Sequence, residues 1–143
     1  MENSSKLRTL LILRVLEEYT DENHQLTTAE IVKILEEKYN LTTHRTTIPT
    51  DIKILCDYGI DVITVKSSQN KYYIGARYLE VPEIKLLIDA VQSSKFITAK
   101  KSKVLAQKLS GMTSLYQAKN LNRNIVVDKR IKPTNEKIYY IVD

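Results

Sequence analysis

Apolar positions recur with the 3.6-residue period of helices over most of this chain and alternate only in one short stretch. From Lys6 to Tyr19, Leu7, Leu10, Leu11 and Arg14 or Val15 follow one helical stripe, and Leu13 and Leu16 add a second apolar side. A helix apolar on two sides is usually buried on two sides, here against its own domain and against another segment or subunit. Asp21-Glu22-Asn23-His24 reads as a turn. Thr27-Thr28-Ala29-Glu30 has the spacing of a capping box, in which a Thr hydroxyl takes the amide three residues on and Glu30 reaches back. It opens a helix with Ile31, Ile34, Leu35 and Lys38 or Tyr39 on one stripe. Asn40, which tolerates the left-handed conformation, is the predicted stop, and Leu41 plugs the turn after it.

A third helix is predicted from Thr42 or Thr43 to Tyr58, with Ile48, Ile52 and Leu55 inward and Gly59 as its C-terminal stop. Pro49 complicates its start. A helix beginning at Thr43 puts Pro49 in the second turn, where a lost backbone bond costs up to ~3 kcal/mol. A helix beginning at Thr47 puts it in the first turn, where it is tolerated. The earlier start, with a loosened first turn, is the expectation. Ile60–Lys66 and Lys71–Ile74 are β-rich and flank Ser67-Ser68-Gln69-Asn70, which predicts a hairpin with about four loop residues.

The second half changes character. Glu80-Val81-Pro82 opens a helix with Ile84, Leu87, Ile88 and Val91 on one stripe. Thr98 caps a helix over Ala99–Ser110, with Val104, Leu105 and Leu109 inward and Gly111 as stop. A short helical stretch follows over Thr113–Lys119. Asn124–Lys132 looks extended, and Ile138–Val142 begins another apolar element inside which the sequence ends, as a fragment of a longer protein would. No repeat or low-complexity segment is evident.

Composition narrows the function classes. One cysteine, Cys56, excludes an internal disulfide and is expected to be a small buried hydrophobe late in the third helix. With two histidines in the whole chain a tetrahedral zinc site is close to excluded. Asp21, Glu22 and His24 are read as a turn rather than a metal cluster, and no cofactor is expected. The N-terminus MENSSK is polar and is not a signal peptide, and no apolar run approaches the ~18 residues of a membrane span. A cytoplasmic location is expected. No P-loop, dinucleotide fingerprint or nucleophile elbow occurs, and the chain is read as a non-enzyme. The net charge of +5 is uneven: residues 1–78 hold ten Lys/Arg against eleven Asp/Glu, and residues 79–143 hold twelve against six. Overall basicity therefore says little about the first half, and local placement has to carry any argument about a polyanionic partner.

Two helices, a tight turn, a third helix and a β-ribbon give the order of a winged helix-turn-helix. In that fold the third helix enters the major groove of double-stranded DNA by its N-terminal half. Arg45 is the best base reader, its planar fork matching guanine O6 and N7. Thr43, His44, Thr46, Thr47, Thr50 and Lys53 lie on the same segment. Thr27 and Thr28 would meet phosphate through helix N-terminal amides and hydroxyls. Lys66, Gln69, Asn70 and Lys71 would set the wing on the backbone or in the minor groove. Asp51 would repel phosphate, so it should point away or hold a neighbouring Arg. A protein- or RNA-binding use of the same unit remains open, as does the DNA-binding head of an enzyme, such as a repressor-type biotin ligase. A second basic signal runs from Ala90 to Val127, with Lys95, Lys100, Lys101, Lys103, Lys108, Lys119 and Arg123 and no acidic residue. It is either a solvated helix face or a supplementary phosphate contact.

HRTTIPTDIKIL followed by DYGIDV resembles the recognition helix and wing entry of the DeoR-like winged-helix domain that heads WYL-domain transcriptional regulators. TDENHQLT resembles the turn between that family's first two helices, and KYYIG its wing exit. PEIKLLIDAVQSSKFITAKKS resembles its linker helices, and VVDKRIKPTNEKIYYIVD the segment before the WYL domain. The resemblance implies a bacterial transcriptional regulator, usually a homodimer, with a C-terminal barrel that senses an effector ligand. By position it places Thr43, His44, Arg45, Thr46, Thr47 and Thr50 on the DNA-reading segment. Pro49-Thr50 departs from the family pattern, which often has Arg at the second position and so one more phosphate contact. The Trp-Tyr-Leu motif is absent. The expected architecture is α+β and mostly helical: a winged helix-turn-helix over residues 1–78, built of three helices and a β-hairpin wing, then a helical linker or dimerisation arm over 79–143 that leads to an absent WYL sensor domain.

Overall fold

Local rules set the ends of the helices in the first half. In the computed structural model, which describes residues 4–123, α1 (Ser4–Tyr19) is followed by a two-residue strand, β1 (Leu26–Thr27), and by α2 (Thr28–Tyr39). The capping box forms as predicted: Thr27 Oγ1 accepts from the Glu30 amide at 3.2 Å, and the Thr27 amide donates to Glu30 Oε1 at 2.9 Å. Asn40 ends α2 in the left-handed region at φ 52°. Thr27→Ala removes half of this box and is expected to cost ~1 kcal/mol, read as a lowered midpoint in thermal denaturation.

The third helix starts later than expected. Arg45–Thr47 form one 3₁₀ turn, and α3 runs from Ile48 to Tyr58. Pro49 accounts for the shift. It has no amide to give, so it sits in the first turn, where no intrahelical acceptor is left unserved. Gly59 closes α3 at φ 115°, with the Ile60 amide donating to Leu55 O at 3.0 Å. The hairpin follows as β2 (Val62–Val65) and β3 (Lys71–Ile74), with Val65 opposite Lys71, so residues 66–70 form a loop one residue longer than expected. β1 pairs with the other edge of β3, giving a three-stranded antiparallel sheet in the order β1-β3-β2.

One core holds these elements together. Ile12, Val15 and Leu16 of α1 pack with Ile31 and Leu35 of α2, Ile48, Ile52 and Leu55 of α3, and Leu26, Val62, Tyr72 and Ile74 of the sheet. The buried side of α1 matches the predicted stripe only in part: Val15 is fully buried and Leu11 packs against the core, as do Leu13 and the buried Leu16 of the second apolar side, but Leu7 and Leu10 are 48% and 60% exposed. Cys56 is also exposed, contrary to expectation, because α3 turns Ile52 and Leu55 inward and carries residue 56 past the core edge. Polar bonds join α1 to the sheet: Thr20, fully buried, accepts from the Ile74 amide at 3.0 Å and donates to Leu16 O at 2.5 Å. Arg77 donates to Glu17 O and Thr20 O at 2.7 and 2.9 Å, a cation on the last carbonyls of α1.

The chain divides into two compact units between Arg77 and Tyr78. In the second, α4 (Val81–Ser93), α5 (Ala99–Ser110) and α6 (Leu115–Arg123) pack around Ile84, Ile88, Ala106 and Leu121. Thr98 caps α5 as predicted, its Oγ1 accepting from the Lys101 amide at 3.1 Å. The fully inward residues of α5 are Ser102, Ala106 and Ser110; of the predicted Val104, Leu105 and Leu109, only Leu109 packs against the core, while Val104 is exposed and Leu105 is half-buried. Small side chains let α4 and α5 approach until Ser102 Oγ donates to Val91 O at 3.3 Å, which larger residues would prevent. Leu87 of α4 is likewise exposed, beside Leu86. Gly111 ends α5 in an ordinary right-handed conformation, and the last helix begins at Leu115, two residues later than the predicted Thr113. The molecule is thus α+β and mostly helical. No described helix is long and apolar enough to cross a membrane. The predicted extended elements at Asn124–Lys132 and Ile138–Val142 lie outside the described residues.

Candidate nucleic-acid interface

The 3₁₀ turn and the first turn of α3 build an exposed, polar tip. His44, Arg45, Thr46, Pro49 and Thr50 are all exposed, while Ile48 between them is fully buried and anchors the turn. The guanidinium of Arg45 and the hydroxyls of Thr46 and Thr50 have no hydrogen bond or ion pair to any described residue. Thr43 and Thr47 differ from these. Thr47 Oγ1 donates to His44 O at 2.7 Å and lies 3.0 Å from Thr43 Oγ1. A hydroxyl has one proton, so Thr43 is the donor of that second contact. Both hydroxyls hold the turn in shape, and neither is as open to a ligand as Thr46 or Thr50.

Asp51 is the one acidic residue in the first half of α3. It faces inward, 1% exposed, and three donors converge on its carboxylate. Arg8 of α1 donates through Nε to Oδ2 at 2.5 Å and through Nη2 to Oδ1 at 3.3 Å. Thr9 Oγ1 lies 2.8 Å from Oδ1 and 3.2 Å from Ser5 O, and its single proton belongs on the nearer, charged acceptor. The hydrogen bond to Asp51 raises the pKa of Arg8 above its ordinary value. The negative charge that would have repelled phosphate is thereby neutralised and turned away from the tip. Sequence reading anticipated an Arg partner for Asp51 but not Arg8, 43 residues away on another helix.

Lys53 lies on the exposed side of α3 with Thr46 and Thr50 but bonds to Asp57 at 3.1 Å, one turn on. Its charge is partly spent within the helix, and both side chains are well exposed, so the pair contributes little to stability. Of the residues predicted on this helix, Lys53 is the weakest candidate.

The remaining candidates meet at the sheet. Thr27 faces Lys71 in the β1–β3 register, and Thr28 is the first residue of α2. The start of α2 is thus paired through the sheet with Lys71, the residue that follows the hairpin loop, and a helix N-terminus near a cation attracts phosphate. The Thr27 hydroxyl is engaged in its cap, so the amides and Thr28 are what a ligand would meet. Lys66, Gln69, Asn70 and Lys71 are all exposed, and Ser67 Oγ donates to Gln69 O at 2.6 Å, shaping the hairpin tip. Among the described residues no group of three His, Cys, Asp or Glu side chains is placed to hold a metal ion. No family model, curated protein or solved structure matches this chain.

Proposed function

We propose that the unit ending at Arg77 is a winged helix-turn-helix that binds double-stranded DNA with sequence preference, as the resemblance to WYL-domain transcriptional regulators implies. The observation that carries this reading is the tip of α3. Arg45, Thr46 and Thr50 stand outward without partners among the described residues, and Asp51, the acid in the first half of α3, is folded inward onto Arg8. A major groove ~12 Å wide admits one helix, and a bidentate Arg–guanine contact is the commonest specific one. The β2–β3 hairpin is the wing, with Lys66 and Lys71 on phosphate. The second unit is then a linker or dimerisation arm. Its α4 is apolar inward at Ile84 and Ile88 and again outward at Leu86 and Leu87, which suits pairing with a second copy.

Titration of the full chain with duplex DNA over a salt series tests binding itself. Affinity is expected to fall steeply, by ~0.9 in log K per log salt for each phosphate neutralised. Lys71→Ala should reduce that slope by about one contact and weaken all sequences alike. A response flat in salt would place the partner among proteins instead.

A further inference from the structure

The second unit carries a charge distribution that DNA reading by α3 leaves unused. Between Ala90 and Arg123 stand Lys95, Lys100, Lys101, Lys103, Lys108, Lys119 and Arg123, without one Asp or Glu. Ordinary solvated surfaces intersperse both signs, and at this chain's average content such a stretch would hold about four acidic residues. The fold turns the charges outward. Ser102, Ala106 and Ser110 take the inner side of α5, which leaves Lys100, Lys103 and Lys108 exposed. On α6, Leu121 is buried while Lys119 and Arg123 are exposed. The two helices belong to one body: Leu121 packs in the same cluster as Ala106, and Ser110 Oγ lies 2.9 Å from Asn122 Oδ1.

The helix macrodipole does not favour this placement: the first turn of α5 holds Lys100 and Lys101 and no acid, whereas α2, α3 and α4 each carry an acid there and α1 and α6 carry none. The chemistry of the surface selects its partner. Lysines are flexible point charges, suited to phosphate without base selection. From Lys100 to Lys108 the helix advances about 12 Å, a length over which duplex DNA offers about seven phosphates. Val104 is the one large apolar side chain that α5 itself exposes, short of the broad apolar face by which a helix lies on a membrane.

We infer that the α5–α6 surface of the second unit is a second, sequence-independent contact to the phosphate backbone of double-stranded DNA. The inference rests on the DNA-binding reading above and adds the partner of this unit. It makes the linker a contributor to affinity and salt dependence, while base preference stays with Arg45.

The test compares the full chain with a variant carrying Lys100→Gln, Lys103→Gln and Lys108→Gln. Glutamine keeps helix propensity close to that of lysine, and circular dichroism with thermal unfolding checks the fold. Duplex binding is measured from about 50 to 200 mM salt, with anionic vesicles as a parallel probe. The expected result is a log–log slope shallower by two to three, about 0.9 per lost contact, equal weakening on every duplex and an unchanged base preference. An unchanged slope overturns the inference, as does loss of vesicle binding with duplex binding intact. The two readings fail separately. Should the wild-type chain bind duplexes without base preference and the triple variant lose that binding, Arg45 reading fails and the second contact stands. Should Arg45→Ala lose a base preference while the triple variant keeps the wild-type slope, the second contact fails and Arg45 reading stands.

Discussion

Arg8→Met is expected to lower the stability of the first unit by ~3–5 kcal/mol, because it leaves a carboxylate buried without its counter-charge. Asp51 is 1% exposed and cannot turn to water, and Thr9 alone supplies too little to hold an ionised group there. The reverse substitution, Asp51→Leu, should cost less, since the Arg8 side chain is 21% exposed and its guanidinium can swing into solvent. The double variant Arg8→Met/Asp51→Leu should recover much of the loss, as apolar replacement of a buried pair is often neutral or better. In a unit of this size each kcal/mol moves the thermal midpoint by ~4–8 °C, so Arg8→Met should lower it by at least ~12 °C. Thermal and urea denaturation of the three variants reads the order directly. Near-wild-type stability of Arg8→Met would mean that Asp51 finds another donor and that α1 does not hold the first turn of α3.

Arg45→Ala separates function from stability. Arg45 is exposed in a 3₁₀ turn and has no partner within the described residues, so the thermal midpoint should barely move. On the target DNA, loss of one bidentate guanine contact should cost ~1–3 kcal/mol of discrimination. At 1.4 kcal/mol per tenfold that is roughly 5- to 150-fold against the best sequence, with little change on mismatched duplexes. Thr46→Ala and Thr50→Ala remove a single hydroxyl contact each and are expected to do less.

How far the sequence foretold these features depends on the range of the forces involved. The capping box at Thr27 and Glu30, the left-handed Asn40 and the Gly59 stop are set by neighbours within a few residues, and all three are found where the pattern puts them. Leu7 and Leu10 misled because α1 is apolar on more than one side, and only packing against α2, α3 and the sheet chooses which side is inner. β1 is two residues long and exists only through its bonds to β3, so no periodicity could announce it. On α5 the inner side is marked by Ser102, Ala106 and Ser110, which no apolar periodicity distinguishes and whose smallness permits the close contact with α4. The exposed candidates of the interface, Arg45, Thr46 and Thr50, were legible because an outward polar stripe opposite Ile48, Ile52 and Leu55 is a local pattern. For Asp51 the pattern implied an Arg partner or an inward turn but not that the partner is Arg8, because the bond joins two helices across 43 positions.

The central claim is that the tip of α3 around Arg45 reads base pairs. Its most direct test is selection of the full-length wild-type chain and of Arg45→Ala from a pool of random duplexes, followed by sequencing of the bound fraction. The account predicts that the wild type enriches a short motif containing a guanine, and that the preference at that guanine disappears in Arg45→Ala while the rest of the motif survives. Enrichment of no motif by the wild type, or of an identical motif by both proteins, would contradict it.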